Sequence, residues 1–425
     1  MDISKKNKKE IEMNFFEELQ WRGLIKDVID EQQVKQLVEN PTTVYIGFDP
    51  TADCLHVGHL QQICILKRWQ NAGHHVIALA GGATGMIGDP KPTQERKMLN
   101  AQEIKHNVEC IKQQLSRFID FDHGTATLVD NYDWLGKLSL IDFLRDYGKF
   151  FNVNYMIAKD TIAKRLETGI SFTEFTYTIL QAIDFLKLHQ EYGCAIQLGG
   201  SDQWGNLVSG VDLIRKVMGS DEKVYGITSP LLTKSDGGKF GKTETGTVWL
   251  GADRTSPYEF YQFWVNTADS DIINYLKRLS FKTPEEIMAL EQTLQQAPEK
   301  REAQKALAAE LTQIVHGEKG LASALKITDT FFNGNFAQLS EDELLQGIAS
   351  MKKVQINEGL SLLDALVESK IAPSKREART LISGNSISVN GAKVTDENFE
   401  VNKENALFNH VIIRKGKKNY FVLTF

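Results

Sequence analysis

Two short stretches hold residue types that could do chemistry at the spacing they show. DPTADCLHVGHLQQI, residues 49 to 63, sets His56 and His59 three apart around Gly58, straight after the apolar run VYIGF (44 to 48). LLTKSDGGKFGKTETGT, residues 231 to 247, sets Lys239, Lys242 and Thr243 in a loop with four glycines, Gly237, Gly238, Gly241 and Gly246. Two histidines can ligate zinc, but helical zinc motifs of the protease kind space them four apart with a glutamate between, and that glutamate is absent. A core role needs apolar neighbours on one face, yet Asp49, Thr51, Asp53, Gln61 and Gln62 crowd the stretch. A third reading is an anion site: a strand, a turn containing Pro50, then a helix N-terminus where Gly58 permits close backbone approach and imidazole N–H groups donate to oxygen. The lysine loop by itself reads either as a solvated turn or as a mobile cationic clamp for negative charge developing on phosphate. It does not match the GxxxxGK[ST] loop.

A third constellation lies in SFTEFTYTILQAIDFLKL, residues 171 to 188. Tyr177, Gln181 and Asp184 fall at i, i+4 and i+7, on one face of a helix otherwise built from Phe175, Ile179, Leu180, Ile183, Phe185 and Leu186. That stripe either faces solvent or forms a pocket wall offering a phenol, an amide and a carboxylate to a polar ligand; buried against an apolar core it would be left unpaired. Tyr45, on the strand before the first motif, is placed to face it.

The elements that must hold these residues follow from periodicity. Apolar runs VYIGF, VIALAGG (76 to 82), TLVD (127 to 130) and AIQLGG (195 to 200) alternate with helical patterns such as Ala101 to Phe118, which predicts a parallel, doubly wound, Rossmann-like sheet in an α/β domain over 1–232. Ligands in such sheets sit outside the carboxyl ends of the strands, where both glycine-rich and histidine-bearing loops fall. Aromatic-rich residues 131–175 read as an insertion and a candidate subunit interface. Residues 233–255 hold the lysine loop, 256–332 an all-α domain, 333–354 a linker, and 355–425 a small α+β domain of two short helices followed by strands, with Asn390-Gly391 as a hairpin turn.

At 425 residues with 42% apolar content the chain is long enough for several domains. No run approaches the roughly 18 apolar residues of a membrane span, and the start has no signal-peptide core, so the expected location is the cytoplasm and no membrane partner is expected. Cys54, Cys64, Cys110 and Cys194 lack the close pairings of a zinc site or a disulfide framework and read as reduced thiols. Lys5, Lys6, Lys8 and Lys9 read as a solvated tail. From residue 355 onward ten Lys and Arg face eight acids, a local +2 on a chain of net −6. Lys375, Arg376 and Arg379 share one short helix there, and Lys415 and Lys417 follow on the terminal strands, a distribution that suits phosphate contacts.

In that order and about 180 residues apart, HVGH and KFGKT resemble the HIGH and KMSKS signatures of the class I aminoacyl-tRNA synthetases. Together with VYIGFDPTADCLHVGHL, GGATGMIGDP, FTEFTYTILQAIDF and GGSDQWGN, the chain resembles the tyrosyl-tRNA synthetases over nearly its whole length, and Ser361 to Asp396 resembles the RNA-binding domain named after ribosomal protein S4. The resemblance implies that Tyr45 and Asp184 bind the substrate phenol, that Tyr177, Gln181 and Asp89 hold its ammonium with Gln197 nearby, and that Asp49, Gly58, His59, Asp202, Gln203 and Lys242 contact ATP. It implies Thr51 and His56 on the γ-phosphate side and Lys239, Lys242 and Thr243 as the mobile clamp. Magnesium is implied with ATP, with no metal held by the protein itself; the implied partners are L-tyrosine, ATP and tRNA(Tyr), in a homodimer. GDPKPTQERK after Asp89 is one residue shorter than the family's usual loop, which leaves its phosphate contacts open between Lys91 and Arg96. Three other readings stand beside this one: a tryptophanyl-tRNA synthetase, which shares both signatures; a small-molecule nucleotidyltransferase with an HxGH motif, which would explain neither the second signature nor the basic tail; and a non-catalytic RNA-binding relative, which has no use for both histidines and both lysines.

Overall fold

The computed structural model describes residues 13–90, 98–235, 240–243, 246–416 and 419–425, the side chains of residues 160, 161, 242 and 243 excepted. Lys91, Arg96, Lys239 and Lys417, and the lysines at 5, 6, 8 and 9, therefore lie outside the described residues. Two compact units emerge, residues 1–254 with 265–315, and residues 255–264 with 316–425.

The first unit is built on a six-stranded sheet of β1 (Asp27–Val28), β2 (Thr43–Phe48), β3 (His75–Ala80), β4 (Ala126–Asp130), β5 (Cys194–Gly200) and β6 (Tyr225–Ser229), in spatial order β1-β6-β5-β2-β3-β4. All neighbours run parallel except the edge strand β1. The four apolar runs read from the sequence become β2 to β5; β2, β3 and β5 lie inside the sheet and are largely buried, while β4, at the edge, is half-buried. β1 and β6 are not visible as such runs: β1 has two residues, and YGITS has only one aliphatic side chain although the whole strand is buried. The chain leaves β2 toward β3 and β4 on one side and returns through β5 and β6 on the other, so the strand order reverses between β2 and β5. A crevice opens at the carboxyl ends at such a point. The register sets Tyr45 beside both Ile77 and Gln197.

Four long helices cover the sheet: α1 (Val57–Asn71), α2 (Ala101–Leu115), α3 (Phe172–Tyr192) and α4 (Trp204–Met218). Their ends are written in the sequence. Asn100 and Glu103 form a reciprocal cap on α2, Ser171 accepts from the Glu174 N–H to start α3, and Gly193 at φ 63° ends it. Residues 131–175, expected as an insertion, form a series of short helices, and a buried Arg165–Glu174 ion pair of 2.9 Å fastens its end to the first turn of α3.

The expected all-α stretch 256–332 is helical, but it divides between the units. The helical run Glu302–Asn333 is broken at Gly317, where φ is 74°. In the second unit β9 (Lys353–Gln355), β11 (Ile387–Val389), β12 (Ala392–Lys393), β14 (His410–Lys415) and β15 (Asn419–Thr424) form one sheet, and β10 (Leu360–Ser361) pairs with β13 (Glu400–Val401). The helices α5 (Leu362–Glu368) and α6 (Lys375–Ser383) pack Leu362, Leu366 and Ile382 against Val411, Ile413 and Leu423. Asn390 and Gly391, both at positive φ, turn β11 into β12 with Val389 opposite Ala392. Residues 333–354, read from the sequence as a linker, are part of this body. Phe336, Leu339, Leu344 and Ile348 form a core with Ile327, Ile412 and Val422. Their irregular spacing, broken by Asn-Gly-Asn and Ser-Glu-Asp, hides that burial from any periodicity argument.

Candidate active site

His56 is the N-cap of α1. Its Nδ1 accepts from the Gly58 N–H at 3.0 Å, and the His59 Nδ1 accepts from the His56 N–H at 3.2 Å. With both Nδ1 atoms acting as acceptors, each neutral ring carries its proton on Nε2, which leaves two N–H donors at the N-terminus of a 15-residue helix. Burial and the neighbouring His56 push the His59 imidazole down to about 3, so it is neutral at physiological pH. The rings lie 4.1 Å apart. A Cβ at Gly58 would come within 2.6 Å of the His56 ring, which is why the second of the two positions between the histidines has no side chain.

The second motif reaches the first through backbone pairing. Val57 N–H donates to Val248 O at 3.0 Å, Leu250 N–H to Leu55 O at 2.8 Å, and His56 lies opposite Trp249 as an antiparallel bridge. Val248 N–H donates to Gly241 O at 3.0 Å. Gly241 has φ 76°, and a Cβ there would meet a Val57 methyl at 2.7 Å, so this approach needs glycine twice over. Lys242 and Thr243 follow at once in β7 (Lys242–Thr243), paired with β8 (Gly246–Thr247). Trp249 sits with its edge toward His56, under the guanidinium of Arg254, which is ion-paired with Asp53.

Beside this junction is a cavity of about 290 Å³ at the carboxyl ends of β2 and β5, in the crevice the topology predicts. Its wall brings together Tyr45, Asp89, Tyr177, Gln181, Asp184 and Gln197, and also Asp49, Gly58, His59, Asp202 and Gln203. The polar stripe on α3 therefore faces a cavity rather than solvent. Thr51 and His56 are not among its lining residues; Thr51 is exposed in the turn, its N–H donating to Asp49 O.

At the deep end, Asp184 is buried and both its oxygens are held. Oδ2 accepts from Asn131 Nδ2 at 2.9 Å and Oδ1 from Trp134 Nε1 at 2.8 Å. The Tyr45 hydroxyl is buried with no hydrogen-bond partner among the described residues, and so are Oε1 of Gln181 and Oε1 of Gln197. Burial and the nearby Asp184 carboxylate push the Tyr45 phenol well up, which keeps it an O–H donor. At the other end, Asp89 accepts from Gln203 Nε2 at 2.9 Å and from Asn206 Nδ2 at 3.3 Å, while Asp49 accepts from the Tyr177 hydroxyl and from Thr84 Oγ1, both at 2.7 Å. Asn131 also bonds Thr84, tying the two ends together. The sequence reading did not single out Asn131, Trp134, Thr84 or Asn206. For Asn131 and Trp134 the available signal was position, since NYDW follows the carboxyl end of β4.

Burial raises the Asp184 carboxyl from 3.8 to about 8. Between those values the folded protein holds a proton that the unfolded chain has released, so stability falls as pH rises from about 4 and levels off above about 8. Melting temperatures of wild type and Asp184→Asn, compared from pH 5 to 9, are expected to diverge over that window, the wild type losing ground as pH rises. A pH-independent difference would show that the carboxyl titrates normally.

In the second unit, Lys375 pairs with Asp364 at 2.7 Å, Arg379 with Glu397 at 2.8 Å, and Lys415 donates to Ile371 O at 3.0 Å with Glu377 at 3.6 Å. Arg376 is exposed on the same helix. Among the described residues, no helix is long and apolar enough to cross a membrane.

Comparison with known proteins agrees along the whole chain. Residues 37–333 match the family described as "tRNA synthetases class I (W and Y)", and residues 343–423 match the "Tyrosine--tRNA ligase SYY-like C-terminal domain". The chain is 50% identical to tyrosine–tRNA ligase 1 of Bacillus cereus, covering 97% of this chain and 100% of that one, and 49% identical to tyrosine–tRNA ligase 1 of Bacillus subtilis, covering 97% and 99%. A C-terminally truncated mitochondrial tyrosyl-tRNA synthetase of Aspergillus nidulans superposes with a TM-score of 0.67 at 32% identity, covering 76% of this chain and 95% of that one. With a signature pair clipped together at a helix N-terminus and relatives this similar end to end, the chain belongs to the class I tRNA synthetases, and within them to the tyrosine–tRNA ligases.

Proposed function

We propose that L-tyrosine occupies the cavity with its phenol against Tyr45 and Asp184, its ammonium toward Asp89, Tyr177 and Gln181 and beside Gln197, and that ATP lies over the start of α1. The observation that carries this reading is the pair at the deep end: a buried Tyr45 hydroxyl without a protein partner next to a doubly held Asp184. A ligand hydroxyl would satisfy both, and a ligand lacking it would leave them unpaired.

As a tyrosine–tRNA ligase the chain joins tyrosine to tRNA(Tyr) using ATP. The substrate carboxylate oxygen attacks the α-phosphorus, the bond to pyrophosphate breaks, and the terminal ribose hydroxyl of the tRNA then attacks the tyrosyl carbonyl, releasing AMP. No side chain acts as nucleophile; the protein positions the reactants and stabilises charge on the departing pyrophosphate. His59 and Asp202 serve the nucleotide with Asp49, Gly58 and Gln203 alongside, His56 and Thr51 the γ-phosphate side, and Lys239, Lys242 and Thr243 the clamp. Magnesium would accompany ATP, held mainly by the phosphates and offsetting their charge; Asp49 and Asp89 already accept hydrogen bonds from protein donors and are assigned to substrate rather than to the metal.

Tyrosine-dependent ATP–pyrophosphate exchange, run beside tryptophan and beside no amino acid, tests the reading; exchange that tryptophan supports equally would refute it. The protein acts in the cytoplasm and as a homodimer. Leu140, Ile141 and Phe172, all within residues 131–175, are 69%, 65% and 70% exposed, more apolar surface than a monomer needs in one segment. A sedimentation mass of one 47.9 kDa chain would exclude the dimer.

Transfer RNA meets the basic surface of α6 and β14, with Lys375, Arg376, Arg379 and Lys415; Lys417, the fifth residue assigned to this contact, lies outside the described residues. Because Ile412 and Val422 share a core with Phe336 and Leu344, charge reversal is a cleaner probe than truncation. Lys375→Glu, Arg376→Glu and Arg379→Glu combined should leave exchange unchanged, raise KM for tRNA at least about tenfold, and flatten the salt dependence of charging by roughly two to three phosphate contacts. Unaltered charging would remove this surface from the RNA path.

A further inference from the structure

Behind the Asp89 end of the cavity lies a lysine that belongs to neither signature. Lys159 caps the short helix Asp160–Leu166, and its Nζ donates to Thr178 Oγ1 at 2.8 Å, Gly205 O at 2.9 Å and Ser209 Oγ at 2.6 Å. All three acceptors are neutral, and an ammonium has protons but no lone pair. Both hydroxyls must therefore accept from it and send their own protons elsewhere.

The rest of the network follows from that constraint. Ser209 donates back to Gly205 O at 3.0 Å, and Thr178 donates to Asn206 Oδ1 at 2.8 Å. With its carbonyl engaged, Asn206 must turn its Nδ2 toward Asp89 Oδ1 at 3.3 Å and Gln203 Oε1 at 3.1 Å. Gln203 then turns its Nε2 to Asp89 Oδ2 at 2.9 Å. Along the branch through Thr178, Asn206 and Gln203, every donor points one way, from the ammonium to the carboxylate. Burial pushes the Lys159 ammonium down to about 8 against the pull of Asp89 and Asp212, which leaves it charged at neutral pH and the direction intact.

We propose that Lys159 is a positioning residue for the substrate's α-ammonium: through Thr178 and Asn206 it fixes the amide orientations that hold both oxygens of Asp89 toward the cavity. Without the ammonium, the Thr178 hydroxyl is free to turn round and the Asn206 amide to flip, and a flipped amide sets a carbonyl oxygen against the Asp89 carboxylate. The cost falls on ligands that carry a positive charge to Asp89. The inference rests on the placement of tyrosine proposed above.

Its test compares tyrosine with 3-(4-hydroxyphenyl)propionate, which has the phenol and the carboxylate but no ammonium. In equilibrium titrations, Lys159→Met should weaken tyrosine binding about tenfold, the effect of one misdirected charged hydrogen bond, and change the analogue's affinity by less than about twofold. Thr178→Val keeps the lysine and the side-chain volume while breaking the relay, and should show the same split; it carries the test if Lys159→Met does not fold. KM for ATP in exchange should stay within about twofold in both variants. Equal weakening of both ligands would mean that Lys159 merely supports the wall, and unchanged tyrosine affinity would mean that the relay does not reach Asp89; either overturns the proposal. A wild-type protein that binds the analogue and tyrosine equally would overturn the placement of the ammonium itself, and this inference with it.

Discussion

Asp184→Ala is expected to lower kcat/KM for tyrosine in pyrophosphate exchange by about a thousandfold while leaving the value for phenylalanine nearly unchanged. The magnitude, about 4 kcal/mol, combines loss of the partner proposed for the phenol with the stranding of the buried N–H groups of Asn131 and Trp134 that the carboxyl now satisfies, each such loss being roughly 1–3 kcal/mol. Phenylalanine brings no hydroxyl and so has little to lose. Enzymes of this same family discriminate tyrosine from phenylalanine by about 10⁵-fold without editing. Asp184→Asn would not repair the loss, since either amide orientation sets an NH₂ group against one of two fixed donors. Parallel losses for both amino acids would instead mean that the wall of α3 has collapsed, and would sink the assignment of Asp184 to the phenol.

Why this pocket was partly legible in the sequence, and partly not, has a physical explanation. Tyr177, Gln181 and Asp184 were visible because helical spacing puts them on one face, and Tyr45 because strand β2 runs straight into the HVGH turn. Periodicity also found four of the six strands, since each carries a run of apolar side chains; it missed β6, where Gly226, Thr228 and Ser229 are buried through close packing and hydrogen bonds instead. What local sequence cannot encode is which loops meet. The pairing of residues 248–250 with 55–57, which places Gly241 on Val57, is a tertiary contact with no local signature. Asn131 and Trp134 stayed hidden for a related reason. Their segment is rich in exposed aromatics and aliphatics and reads as an interface, and nothing in NYDW says that two of its four side chains turn inward to hold a carboxylate on another helix.

Lys242→Ala is expected to slow tyrosyl-adenylate formation by about 10²- to 10³-fold while changing the equilibrium dissociation constant for tyrosine by less than about twofold. The loss corresponds to about 3 kcal/mol, the usual effect of removing one preorganised donor to charge that develops in the transition state. Its place in the fold supports that role. Lys242 directly follows Gly241, whose carbonyl and missing side chain fit it onto Val57 at the N-terminus of α1, where His56 and His59 present their Nε2–H groups. In the placement proposed for ATP, a lysine supplies the full charge that a helix N-terminus and neutral imidazoles cannot match as charge grows on departing pyrophosphate. In the placement proposed above, tyrosine contacts Tyr45, Asp184 and Asp89 on the cavity wall rather than the loop, so its ground-state affinity has no reason to change. His56→Ala should show the same signature with a smaller loss, because it removes a neutral donor together with a helix cap. Rapid-quench measurement of adenylate formation beside a fluorescence titration of tyrosine separates the two quantities. If Lys242→Ala weakened tyrosine binding as much as it slowed the chemistry, the lysine would be holding the ground state, and the second signature would be a structural clasp rather than half of a phosphate clamp.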